Sequence, residues 1–178
     1  MLNNKTSTPP DFRYKVILKD GRETLIRPIC YADKYAVMAL YNRLSPETRF
    51  LRYHYAKPAL TDAELDYFCN VDYYDTFGLV AEMQRGSGID IVGVGRYNRL
   101  LQADTAEIAF LVEDKEQGNG IGTNLMKILS KLAKERGIKT FVAELLNENT
   151  IMMDILRKHD PKLDREIDGS SHHITMSV

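Results

Sequence analysis

The chain is predicted to fold as a mixed α/β domain: one sheet, antiparallel at first and parallel around a glycine-rich loop, with helices on both faces. Three observations predict it. Short apolar runs of strand length alternate with helical patterns, and turn signals at Asp20-Gly21, Gly86-Ser87-Gly88 and Asp168-Gly169 join neighbouring runs into hairpins. In the second half, a strand, a glycine cluster, a helix and another strand follow one another, a unit whose crossover should be right-handed and whose strands should be parallel. A chain of 178 residues with 44% apolar content supports one sizeable core, and no linker or repeat divides it. Residues 1–178 are therefore expected to form a single domain, with polar residues 1–12 as a flexible lead-in.

Taken in order, Tyr14 to Leu18 and Thr24 to Ile29 flank the first turn as a hairpin. Ala32 to Leu44 follows as a helix with Ala36, Ala39, Leu40 and Leu44 on one face. Ser45-Pro46-Glu47 supplies what a helix start needs, a cap, a first-turn proline and an early carboxylate. Thr61-Asp62-Ala63-Glu64 opens another helix with a near capping box. Phe77 to Met83 and Ile89 to Tyr97 read as strands, as does Ala106 to Val112, which is apolar on both faces. Ile121, Leu125, Ile128 and Leu132 recur at helical spacing until Gly137 stops the helix. Thr140 to Leu146 is a strand, Leu146 to His159 leads into and forms a helix, and Leu163 to Ile167 with His172 to Val178 make a last hairpin.

Charge and composition narrow the function. A net charge of -1 with interleaved signs, and no Trp, argues against nucleic acid. No apolar run approaches membrane-spanning length and no signal peptide is evident, so a soluble, cytoplasmic protein is expected. Cys30 and Cys69 lack a CxxC partner and read as reduced core thiols. His172-His173 lies in a strand, where neighbours face opposite ways, so no metal site is expected.

The segment Glu116-Gln117-Gly118-Asn119-Gly120-Ile121-Gly122-Thr123 carries the strongest signal. Glycines at alternate positions let the backbone approach a bulky anion, and the following helix offers its unpaired amides and positive dipole end. The expected ligand is a pyrophosphate. A Walker loop would close on Gly-Lys-Ser/Thr, but Gly122 precedes Thr123 and Asn124; a dinucleotide fingerprint would place a third glycine where Thr123 stands. What remains is Gln117, Gly120 and Gly122 at the spacing of Gln, two residues, Gly, one residue, Gly. This resembles the acetyl-CoA loop of the GCN5-related N-acetyltransferases.

The resemblance implies the corresponding fold, acetyl-CoA as cosubstrate, and roles for particular residues. Gln117, Gly118, Asn119, Gly120, Ile121, Gly122 and Thr123 would cradle the pyrophosphate. Backbone groups of Phe110, Leu111 and Val112 would hold the pantetheine and polarise the thioester, and Asn149 and Met152 match the Asn and Met at the next strand-to-helix junction. Leu44-Ser45-Pro46-Glu47-Thr48-Arg49, with Ile26-Arg27-Pro28-Ile29 and Val71-Asp72-Tyr73, is similar to the acetyltransferase domain of bacterial Pat-type protein lysine acetyltransferases. That similarity implies a protein lysine acceptor attacked directly in a ternary complex, in a monomer or homodimer. A small-molecule amine acceptor and a non-catalytic acetyl-CoA sensor stay open.

Such a transfer needs a neutral amine, whereas a lysine of pKa about 10.4 is protonated near neutrality. Glu107, in the strand ahead of the loop, matches the family's general base, and apolar neighbours would bury it and raise its pKa toward a useful range. Glu144 on the neighbouring strand is the runner-up. Asp62, Glu64, Asp66 and Asp72 are candidates to attract a lysine. The family's Tyr beyond the Asn helix, which protonates the departing thiolate, is absent and Tyr97 is the last Tyr in the chain, so that a Ser, a water or Tyr97 itself serves, or the thiolate leaves unassisted. The Leu-Gly-Phe phrase usual in the family is also replaced by His159-Asp160-Pro161.

Overall fold

The computed structural model describes residues 8–102 and 104–178. Residues 1–7 of the expected lead-in lie outside them, and Phe12 near its end stacks on Phe77 at 6.5 Å between ring centroids. One sheet of eight strands forms the framework. In chain order these are β1 (Tyr14–Ile17), β2 (Glu23–Pro28), β3 (Thr76–Arg85), β4 (Gly88–Arg99), β5 (Thr105–Val112), β6 (Thr140–Leu146), β7 (Asp164–Asp168) and β8 (Ser171–Ser177). Their spatial order is β1-β2-β3-β4-β5-β6-β8-β7. Only β5 and β6 pair in parallel, as the strand, loop, helix, strand unit requires.

The helices are α1 (Lys34–Arg43), α2 (Pro46–Tyr53), α3 (Asp62–Cys69), α4 (Ile121–Glu135) and α5 (Thr150–His159). A 3-10 turn, Tyr31–Asp33, leads into α1. The buried stripe of α1 is Val37, Leu40 and Tyr41, continued by Leu44, while Ala39 is exposed. The expected face is thus kept in part: Leu40 and Leu44 are buried and Ala36 packs half-buried against the core, while Val37 and Tyr41 fill the core in place of Ala39. Ser45-Pro46-Glu47 does start a helix: the Ser45 hydroxyl accepts from the Thr48 amide at 3.1 Å, with proline in the first turn. At α3, Thr61 and Glu64 complete a reciprocal capping box.

An aromatic column crosses the core beneath α4, with Phe77, Tyr97 and Phe141 fully buried and successive centroids 6.0 and 6.4 Å apart. Burying each such ring contributes roughly 1.5–3 kcal/mol. The Tyr97 hydroxyl, sealed in the same layer, donates to the Tyr74 carbonyl at 2.8 Å. Cys69 is buried, which pushes its thiol up to about 12, whereas Cys30 is half-buried.

Strand alternation assigns the two faces. A Cβ at Gly93 of β4 would meet Ile121 of α4 at 3.0 Å, and one at Gly95 the Phe110 ring of β5 at 2.8 Å and Leu125 of α4 at 3.3 Å, while Arg96 beside them lies under the Tyr67 and Phe68 rings of α3. Asn98 shares the Arg96 face, and Glu107 is its partner across the ladder. Glu107 therefore points to the side covered by α2 and α3. Pairing of β5 with β6 runs through Thr105↔Thr140 and Ala106↔Phe141 to Glu107↔Val142, whereas β5 stays paired with β4 as far as Val112. Beyond Glu107 the two parallel strands fork, and the β6-facing edge of β5 is open.

Candidate active site

A cavity of about 490 Å³ occupies the fork. Residues 107–112 of β5 form one wall and Ala143, Glu144 and Leu145 of β6 the other. The C-terminal half of α2, from Leu51 to His54, closes it on the Glu107 side. At its far end lie the glycine loop, the first turn of α4, and Asn149 and Met152 of the β6–α5 junction. Two strands separating, a loop and a helix start thus surround one space.

At the loop end, Gly118 and Gly120 adopt left-handed φ values of 77° and 102°, which a side chain would strain. Gly122 meets a different limit, since a Cβ there would sit 2.7 Å from Ile155 Cδ1 and push α5 from α4. The first helical bond runs from the Asn124 amide to the Gly120 carbonyl at 3.0 Å, so the amides of Ile121, Gly122 and Thr123 have no intrahelical acceptor. These amides and the helix dipole suit a phosphate. Of the expected cradle residues, Gln117, Gly118, Gly120, Ile121, Gly122 and Thr123 line the cavity, as do Phe110, Leu111 and Val112. Asn119 does not; it faces the β1–β2 turn, where its carbonyl accepts from the Lys19 amide at 3.1 Å.

That turn brings a cation the sequence reading did not single out. Lys19 lines the cavity, its Nζ donating to the Gly118 carbonyl at 2.8 Å. Arg22 from the same turn and Arg85 from β3 both pair with Glu116, which is almost fully enclosed just before the loop. Burial opposes ionisation of Glu116, but the two guanidinium partners outweigh it and hold its carboxyl below the usual range. Glu113, completely buried, is bound by Arg43 and Arg85 at 3.2 and 2.8 Å. The loop therefore rests on a braced ionic layer.

The Leu-Ser-Pro-Glu-Thr phrase acquires a physical role from Asp114. The Ser45 amide and the Thr48 hydroxyl donate to its carboxylate at 2.9 and 2.7 Å, and the Ser45 hydroxyl donates as well. Burial pushes the Asp114 carboxyl up, and these bonds bring it below its ordinary value. Gln117 completes the link, its Nε2 donating to the Val112 carbonyl at 3.1 Å and to the Thr48 hydroxyl at 3.3 Å. Asn149 has a similar double position: Oδ1 caps α5 by accepting from the Met152 amide at 3.2 Å, while the residue lines the cavity.

The carboxylates stand on opposite walls. Glu107 and Glu144 both line the cavity, but Glu107 is exposed rather than buried among apolar neighbours: its backbone is still paired with Val142, and its side chain opens onto the cavity on the face where α2 lies. Two other expectations change. Tyr97 is in the core and does not line the cavity, so it is no proton donor there; burial raises its phenol further. None of Asp62, Glu64, Asp66 and Asp72 lines the cavity either. Asp66 holds Lys34 at 2.7 Å, Glu64 holds Lys57 at 2.6 Å, Asp72 accepts the Tyr74 and Thr76 amides, and Asp62 projects into solvent. Instead α2 contributes Arg52, Tyr53 and His54, the last with Nδ1 3.7 Å from Glu144 Oε1. Among the described residues no cluster of His, Cys, Asp and Glu could hold a metal ion, and no helix is long and apolar enough to cross a membrane.

The chain is similar to known proteins. Residues 37–159 match the acetyltransferase (GNAT) family. An acetyltransferase of Pseudomonas aeruginosa is 30% identical over 138 residues, covering 78% of this chain and 74% of that protein. The acetyltransferase Pat of Mycolicibacterium smegmatis is 32% identical over 142 residues, 79% of this chain but 42% of the longer Pat. The crystal structure of the GNAT domain of S. lividans PAT superposes with a TM-score of 0.85 at 27% identity, covering 97% of this chain and all of that domain.

Proposed function

Because the chain belongs to the GNAT acetyltransferase family, which uses acetyl-CoA, we propose that it is an N-acetyltransferase whose acceptor is a lysine side chain on a protein. One observation carries the reading: a single cavity joins a helix-terminal anion cradle to two facing carboxylates at a strand fork. In this reading the amides of the α4 first turn and Lys19 hold the pyrophosphate. The open edge of β5 from Phe110 to Val112 hydrogen-bonds the pantetheine and polarises the thioester carbonyl. Asn149 and Met152 guide the same arm from the opposite side.

Glu107 takes a proton from the acceptor ammonium, and the freed lone pair attacks the thioester carbon directly in the ternary complex. An exposed carboxylate is a weak base in water. Entry of acceptor and acetyl-CoA excludes solvent from the fork and holds the ammonium against this carboxylate. The likeness to Pat supports a protein lysine, while the absence of the four acidic candidates from the cavity wall favours a second reading, a small amine.

Release of free thiol from acetyl-CoA, followed against a lysine-containing protein panel and a panel of small amines, tests both. Faster turnover on protein lysines is expected. Turnover confined to small amines would replace the acceptor, and binding of acetyl-CoA without any transfer would replace the enzyme by a sensor.

A further inference from the structure

We propose that His54, oriented by Glu144, is the catalytic acid that delivers a proton to the departing thiolate, an assignment that rests on the acetyl-transfer reading above. Four observations converge on this imidazole. It lines the cavity opposite β5 and touches Glu144 across the fork, with Nδ1 3.7 Å from Oε1. Neither group is sealed, since 28% of the His54 side chain and 49% of that of Glu144 remain accessible. Proton exchange with solvent between turnovers is therefore open to both.

The backbone supplies the third observation. His54 caps α2 in the left-handed conformation, φ 63°, fixed by its amide donating to the Phe50 carbonyl at 2.8 Å. Among the described residues Tyr73 is the only other non-glycine with positive φ. Such a conformation is uncommon for a residue with a side chain, and glycine would adopt it freely. The cap aims an imidazole where α2 meets the β6 wall.

The fourth observation is the weakness of the other donors. A thiol has an ordinary pKa of about 8.5 and an imidazolium about 6.5, so transfer between them runs downhill, whereas lysine at about 10.4 and arginine above 12 would give their proton uphill. Tyr53 shares the cavity, but burial pushes its phenol up to about 12. Tyr97 is shut in the core. With Glu144 beside Nδ1, Nε2 is the nitrogen that serves as donor.

The step balances. Glu107 accepts one proton from the acceptor ammonium, the nitrogen lone pair forms the C–N bond, and the C–S bond breaks with its electron pair moving to sulfur. Nε2–H breaks as S–H forms. The nitrogen then sheds its second surplus proton to the neutral imidazole, restoring the imidazolium, and Glu107 passes its own proton to water. One acetyl group moves and one proton is released.

The test uses acetyl-CoA with hydroxylamine, which is neutral at pH 7 and so isolates thiolate departure from amine deprotonation, and in parallel with a lysine peptide. Asparagine tolerates left-handed backbone, so H54N removes the acid without straining the turn; H54G leaves room for added imidazole. Both variants should bind acetyl-CoA like the wild type and release thiol about 10²-fold more slowly with either acceptor, and imidazole should restore H54G. Glu144→Gln should slow the wild type yet add nothing in the H54N background, as expected of a residue acting through His54. An H54N rate within twofold of the wild type, or a loss in H54G that imidazole does not lift, overturns the assignment and leaves acetyl transfer standing. A wild-type protein that binds acetyl-CoA but acetylates neither probe overturns both.

Discussion

The backbone amide of Ser45 donates to the carboxylate of Asp114 at 2.9 Å, so α2, the proposed acceptor wall, is hung from the turn that leads into the glycine loop. Thr48 and Gln117 reinforce the same joint. The proposed acceptor wall and the proposed cofactor cradle are thus one mechanical unit. Asp114→Ala leaves the Ser45 amide and two hydroxyls without their charged acceptor, and each such bond contributes roughly 1.5–3 kcal/mol. Lower stability in urea is expected, together with a weaker acetyl-CoA affinity and a higher KM for the acceptor. A variant that loses stability while both affinities stay at wild-type values would show that the joint is only a fold contact.

Gly120 gives a sharper test of the proposed cradle, because φ 102° lies where a β-branched residue is most strained and the residue lines the cavity as the N-cap of α4. Gly120→Val should reduce the thermal stabilisation produced by acetyl-CoA through preferential binding to the folded state. Thermal unfolding with and without acetyl-CoA measures it, and an undiminished shift would remove the loop from the binding site.

How much of this was legible in the sequence depended on how local the cause was. Hairpins and the α4 helix follow from turn chemistry and periodicity, and these elements appear as read. The α1 face was partly misjudged because small alanines and a large Tyr41 compete for the core, and composition alone does not rank them. Glu107 and Glu144 both reach the cavity, but the exposure of Glu107 depends on the open space left between its strand face and α2, a tertiary feature without a local signal. Lys19 is the plainest omission. It reaches Gly118 across 99 positions of chain, and nothing in the β1–β2 turn marks it as a neighbour of the loop. His54 directly follows the motif-like Ser45 to Tyr53 segment, yet its left-handed cap carries no sequence flag because glycine, the usual marker, is absent.

The ionic layer under the loop makes the acid limb of stability predictable. Glu116 has a folded pKa below its ordinary value, with burial overcome by bonds from Arg22 and Arg85. A depressed carboxylate stabilises the fold fully above its unfolded pKa, about 4.3, and loses that contribution as pH falls through the folded value. Unfolding midpoints measured from pH 7 to pH 2 should therefore decline below about pH 4.3. Glu116→Gln should lower stability by roughly 3 kcal/mol at neutral pH, the low end for breaking a buried pair since Arg22 keeps water contact, and should flatten the acid decline. An unchanged acid limb in that variant would assign the decline to other carboxylates.

The base assignment turns on the two walls of the fork. Glu107→Gln preserves size and hydrogen bonding but cannot accept the acceptor's proton, so turnover should fall by roughly 10² to 10⁴ fold while acetyl-CoA binding is retained. The defect should shrink as pH rises, because a lysine of pKa about 10.4 then arrives increasingly neutral and needs no base. Hydroxylamine, already neutral at pH 7, should show little defect in Glu107→Gln, in contrast to its full sensitivity to the loss of His54. Kinetics with both acceptors across pH thus separate proton removal on β5 from proton delivery at the α2–β6 contact. Normal turnover in Glu107→Gln with a large, pH-suppressed loss in Glu144→Gln would move the base to β6 and leave His54 without its orienting partner.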